Sequence, residues 1–127
     1  MKDMSKVSVI VGGYTLKTLQ SATFTLEGNK EMDDPDLYGN SENIVTKNAK
    51  ATLEVVVKKN LDDDLFLTNA DILCTEIPVF YKDKTGDKTF TATCIKSMVK
   101  AGGRTNNNSE NTVTYTINMP VTKRAMI

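Results

Sequence analysis

Histidine and tryptophan are both absent from this chain. Without histidine it lacks the usual general base, the commonest metal ligand and every Ser-His or Cys-His dyad. Without tryptophan, and with four scattered tyrosines, it is poor in the aromatic platforms that a carbohydrate binder would present. An excess of one charge is missing as well. Sixteen basic and sixteen acidic residues cancel, so no bulk positive field exists to hold a phosphate backbone by counterion release. No segment approaches the ~20 apolar residues of a membrane-spanning helix. The amino terminus, Met1-Lys2-Asp3-Met4-Ser5-Lys6, lacks the continuous apolar stretch of a signal peptide. A soluble chain without membrane insertion is expected. Cys74 and Cys94 are the two cysteines, expected as buried, unlinked thiols that act as small apolar residues.

What is present is alternation. Thr23-Phe24-Thr25-Leu26, Thr89-Phe90-Thr91-Ala92-Thr93 and Thr112-Val113-Thr114-Tyr115-Thr116-Ile117 repeat with period two in β-branched and aromatic residues, which spells strands with one buried and one wet face. The 127 residues suit one domain, 1–127, able to bury roughly two-thirds of its unfolded surface without disulfides or metal. A hydrophobic fraction of 39% fits a thin barrel or sandwich.

Val7, Val9 and Val11 form a first strand, and Gly12-Gly13 a tight turn into a second arm from Tyr14, whose phase changes around Lys17 to Ser21 as at a bulge. From Gly28 to Asn48 the pattern stops in a long polar loop with apolar anchors, a length that usually serves a function. Ala51, Leu53, Val55 and Val57 face inward on the next strand. Asn60 then caps a short helix whose first turn carries Asp62, Asp63 and Asp64, with Leu61, Leu65 and Phe66 expected to hold it to the sheet and its end near Ala70 or Asp71. Pro78 argues for an edge position or a strand end. The last strand runs through Asn118 to a short C-terminal tail, 120–127.

The carboxylate clusters, Asp33, Asp34 and Asp36, and Asp62 to Asp64, lack the spacing of a calcium loop. A solvated loop and a helix amino terminus are the expected roles. Gly12-Gly13 and Gly102-Gly103-Arg104 lack the spacing of a phosphate-binding loop. No catalytic, cofactor or metal site is expected, and the chain reads as a non-enzyme.

The order of these parts resembles the phage tail tube protein family, the inner tube subunits of long-tailed phages and phage tail-like particles. The likeness rests on Val7 to Val11 with its Gly-Gly turn, the strand ending Phe24-Thr25-Leu26-Glu27-Gly28, and the Thr52-Leu53-Glu54-Val55-Val56-Val57 strand. It continues through the acidic helix with Leu61, Asp64 and Leu65, and Ile77-Pro78-Val79-Phe80-Tyr81 with its Lys-Asp-Lys-Thr-Gly turn. The resemblance implies an all-β fold with one short helix, a barrel-like two-sheet antiparallel sandwich. Six copies would close into homo-hexameric rings stacked as a hollow conduit in a virion tail, assembled in the host cytoplasm. The partners implied are further copies, tail sheath, baseplate and tape-measure proteins, and DNA passing through without specific binding.

On that reading Asp33, Asp34, Asp36, Leu37, Tyr38, Ile44 and Val45 form an inter-subunit loop. Glu27 and Glu54 face the lumen, and Lys123 and Arg124 of the tail meet acidic residues across the interface. The alternative is a monomeric or dimeric β-sandwich binding or adhesion module.

Overall fold

Alternation decides which face of each strand is buried. Along Ala51 to Lys58 the odd positions Ala51, Leu53, Val55 and Val57 are buried while Glu54 and Lys58 are exposed; along the last strand Val113, Tyr115, Ile117 and Met119 are buried. The threonines take the opposite face, with Thr23 and Thr25 exposed and Thr52, Thr114 and Thr116 half-exposed. This is the pattern of a sheet wet on one side.

The computed structural model describes residues 4–27, 49–106 and 111–127. A short 3-10 turn, Met4–Lys6, leads into β1 (Val7–Val11), β2 (Tyr14–Thr15) and β3 (Leu19–Leu26). After them come β4 (Ala49–Lys58), helix α1 (Asp62–Leu73), β5 (Ile77–Asp83), β6 (Phe90–Asn106) and β7 (Asn111–Met126). Among the described residues no helix is long and apolar enough to cross a membrane.

The strands form one seven-stranded sheet in the order β2-β1-β5-β6-β7-β4-β3, antiparallel at every pairing. The expected barrel-like two-sheet sandwich is therefore corrected to a single open sheet with one helix. β2 and β3 are its edges, and no ladder joins them among the described residues.

A single sheet makes its own core by curling. Phe24 on β3 stacks on Tyr81 of β5 with ring centroids 5.7 Å apart and lies 5.5 Å from the Phe90 ring, whereas a flat sheet would hold β3 and β5 about 19 Å apart at ~4.8 Å per strand. The long central strands bend to allow this. β6 and β7 pair from Phe90↔Met126 to Thr93↔Lys123 and again from Met98↔Asn118. In the gap the Ser97 hydroxyl donates to the Cys94 carbonyl at 3.2 Å and the Thr122 hydroxyl to the Met119 carbonyl at 2.8 Å. Ser97 and Thr122 are both buried. Each hydroxyl satisfies a carbonyl at the corner, and Pro120, which has no N–H to offer, sits in the same stretch. Corners made by bent strands are one way for a sheet to turn over its own core.

Several local expectations change. β7 does not stop at Asn118: residues 120–126 are strand, and Thr89 and Ile127 exchange backbone hydrogen bonds of 3.0 and 2.9 Å. The stretch 120–127, expected as a short tail beyond the last strand, is thus a paired strand end. β5 is interior to the sheet, and Pro78 is tolerated near its start, where the register shifts between Ile77 and Val79. The Gly12-Gly13 turn has φ of 58° and 86°, as a two-residue hairpin turn requires. The bulge falls between Leu19 and Ser21. Cys94 is buried but Cys74 is exposed, and both thiols are free.

At the far end of β6 the register shifts between Ala101 and Arg104. A Cβ on Gly102 would lie 2.9 Å from the Thr114 carbonyl oxygen, whereas one on Gly103 would meet nothing within 4 Å. Gly102→Ala is expected to destabilise the fold by about 1–2 kcal/mol and Gly103→Ala to stay within about 0.5 kcal/mol of the parent. Urea denaturation checks this: equal midpoints for the two variants would mean that the backbone approach at Thr114 does not constrain the bulge.

Candidate functional site

α1 begins with an inversion of the usual helix pattern. Its sheet-facing positions are Asp63, Leu67 and Ala70, all buried, with Phe66 half-buried beside them. Leu61 and Leu65, expected to hold the helix down, are 47% and 61% exposed. At 100° per residue, Asp63, Phe66, Leu67 and Ala70 share one face and Leu61, Leu65, Thr68 and Ile72 the opposite one. Of the three residues expected to face the sheet, Phe66 does so, whereas Leu61 and Leu65 point outward and Asp63 and Leu67 take the inward positions.

Asp63 and Asp64 are 1% and 3% exposed, and each is saturated with donors. Asp63 accepts from the Tyr14 hydroxyl at 2.7 Å, from the Lys17 and Thr18 N–H groups at 2.8 and 2.6 Å, and from the Thr18 hydroxyl at 2.8 Å. Lys17 and Thr18 lie in the crossing from β2 to β3, so one carboxylate satisfies backbone donors that belong to no ladder. The Tyr14 ring stacks on Phe66 at 4.7 Å.

Asp64 accepts both guanidinium nitrogens of Arg104, at 3.2 and 2.7 Å, the Tyr115 hydroxyl at 2.7 Å, the Thr68 hydroxyl at 3.2 Å and the Asn60 N–H at 2.7 Å. Asn60 has a left-handed φ of 61° and is not the cap; that position belongs to Leu61, which makes no side-chain cap bond. The Asn60 side chain instead accepts from Arg104 at 3.1 Å. The helix ends at Leu73, with Cys74 left-handed and its N–H 3.2 Å from the Ala70 and Asp71 carbonyls.

Burial by itself pushes both carboxyls up, and the hydrogen bonds outweigh it. The Thr18 N–H, the Tyr14 and Thr18 hydroxyls and the Lys17 N–H hold Asp63 below its ordinary value. The Arg104 hydrogen bond, the Asn60 N–H, the Tyr115 hydroxyl and the Arg104 charge bring Asp64 down to about 2. The bond to Asp63 raises Tyr14 to about 12. Carboxylates so fully bonded act as structural anchors.

Beside this anchor opens a groove of about 620 Å³ lined by Asn60, Leu61, Asp62, Asp64, Leu65, Thr68 and Arg104. Its wall is apolar and its base is the Asp64–Arg104 pair, whose charges are already matched. Ile72 and Leu73, each 68% exposed, continue the apolar surface along the helix. This face was missed from sequence, although the spacing of Leu61, Leu65, Thr68 and Ile72 could have shown it.

The other expected site residues are dispersed. Asp33, Asp34, Asp36, Leu37, Tyr38, Ile44 and Val45 lie outside the described residues. Glu27 is exposed after β3 and accepts from the Thr52 hydroxyl at 2.7 Å. Glu54 is exposed on β4 between Thr23 and Thr116. Lys123 and Arg124 are on β7, paired with Thr93 and Ala92 rather than on a free tail. Arg104, which follows Gly102-Gly103, has its charge committed to Asp64.

No protein-family model and no curated protein matches the chain. The fold overturns the expectation of a tail tube subunit. Hexameric rings required a barrel-like pair of sheets, and the chain is one open sheet whose ion pair, Arg104 with Asp64, lies within the chain.

A carboxyl lowered on folding stabilises the fold fully above its unfolded value of about 3.9 and loses that effect as pH falls through its folded value, because the unfolded chain then binds more protons. For Asp64 the window is about pH 4 down to 2. Asp64→Asn is expected to cost about 2–3 kcal/mol at pH 7 and to leave a shallower loss of stability on acidification across that window. Urea denaturation followed by circular dichroism at each pH checks it. Parallel acid profiles for variant and parent would show that the Asp64 charge is not what the network holds.

Proposed function

We propose that this chain is a non-catalytic β-sheet module that binds a protein partner through the outer face of α1. One observation carries the reading: Leu61, Leu65 and Ile72 stand exposed together on and beside one helix, opposite its core-facing side and next to a groove with an apolar wall, and Leu73 is exposed at the helix end. The other large apolar side chains exposed among the described residues, Leu26, Ile95, Val121, Met126 and Ile127, are on or beside the strands. Contiguous exposed apolar surface rimmed by polar groups is a mark of an interaction site, whereas single exposed residues are ordinary.

The anchoring of α1 supports the same reading. Asp63 ties the helix start to the β2–β3 crossing and Asp64 ties it to β6 and β7. A face held rigidly before binding loses little conformational freedom when a partner arrives.

Leu65→Asp combined with Ile72→Asp is expected to leave stability within about 1 kcal/mol of the parent, since both side chains are exposed, and to abolish partner retention. Affinity capture from lysate of the cells that express the protein, run side by side with parent and variant, checks it. If no protein is retained by the parent and lost by a folded variant, the helix face is not the binding surface.

A further inference from the structure

Resting on the reading of α1 as the docking face, we infer that its partner is a single amphipathic helix with an apolar seam flanked by lysine or arginine. The spacing of Leu61, Leu65, Thr68 and Ile72 is four, three, four, and at 100° per residue these positions fall within an arc of about 60°. That is the seam of a two-helix contact, in which alternate four and three spacings present knobs to a facing helix. A partner strand would read period two and find no such row.

Charge then selects the kind of helix. From Asn60 to Glu76 the chain has five acidic residues and no lysine or arginine. Asp63 and Asp64 are buried and bonded. Asp62 lies on one flank of the seam and Asp71 on the other, with Glu76 just beyond the helix, and none of these three has an ion-pair partner among the described residues. In a coiled-coil contact the flanking positions set partner choice. Basic flanks on the incoming helix meet Asp62 and Asp71. A second copy of this chain, laid parallel or antiparallel, brings acidic flanks against acidic flanks and is disfavoured.

The test uses two labelled synthetic helices about three heptads long, with identical leucine and isoleucine seams, one with lysine and one with glutamate at the flanks. Fluorescence anisotropy with the full chain should show the lysine peptide binding about tenfold or more tightly than the glutamate peptide, with the gap shrinking at high salt. Asp62→Lys with Asp71→Lys should reverse the preference. Leu65→Asp with Ile72→Asp should lose both peptides.

Equal binding of the two peptides to the parent, lost in the Leu65→Asp/Ile72→Asp variant, overturns the charge inference and leaves the docking face standing. Binding of neither peptide, or binding unchanged in that variant, overturns both. A dimer of the parent in light scattering that dissociates in the same variant assigns the seam to a second copy and overturns the inference of a foreign basic helix.

Discussion

Two neighbouring buried carboxylates tie the helix to two separate parts of the sheet. Asp63 and Asp64 occupy consecutive positions and point into different parts of the structure: one takes the backbone N–H groups of the β2–β3 crossing, the other the guanidinium of Arg104 and the hydroxyl of Tyr115. A buried unpaired carboxylate would be prohibitive, and replacing such an ion pair by apolar groups is often neutral. What the pair contributes is position. The crossing from one sheet edge to the other is three residues long, Leu16 to Thr18, and has few ladder partners; the Leu16 N–H bonds to the Val9 carbonyl at 3.0 Å, and the next two N–H groups go to Asp63. Without that acceptor, two donors at the most constrained point of the chain would be left unpaired.

The curl of the sheet follows from the same economy of hydrogen bonds. Long strands usually lie flat enough to expose a large apolar face, which a single sheet cannot cover with one short helix. Here β6 and β7 bend together, and at the bend Ser97 and Thr122 supply hydroxyls to the Cys94 and Met119 carbonyls. The result brings Phe24, Tyr81 and Phe90 into one aromatic cluster although their strands are separated in the sheet. Helix and curl then cover different regions: the rings fill the space between β3, β5 and β6, while Leu67 and Ala70 join the core from the helix.

Period-two patterning made the strands legible: the inward residues of β4, the Gly12-Gly13 hairpin and the phase change before Ser21 all follow from local rules. Long-range arrangement was not legible. Whether alternating strands make two sheets or one curled sheet depends on the bend at Ser97 and Thr122, and a serine or threonine in a strand looks alike whether it faces water or a buried carbonyl. Pro120 is a local hint of the corner, although in sequence it reads equally well as the start of a tail. The inward face of the helix is hidden for a similar reason. Leucines are expected inside, and aspartates in a first turn read as partners of the helix dipole rather than as groups that face the sheet. Asp63 is in fact in phase with Phe66, Leu67 and Ala70, which marks it as core-facing.

That inversion links architecture to the proposed role. A helix whose inner face carries aspartate gains its hold on the sheet from directed hydrogen bonds as well as from apolar contact, and its orientation about its own axis is thereby fixed: rolling it would strand Asp63 and Asp64 without their donors. Fixing the roll fixes which residues point outward. Leu61, Leu65 and Ile72 are then presented in a constant row, with Asp62 and Asp71 on its flanks, by a scaffold that cannot turn them in to hide them. Apolar contact alone would have let the helix rotate until its leucines were buried. The buried carboxylates hold the apolar face at the surface, so the stability of the fold and the availability of the docking face depend on the same interactions.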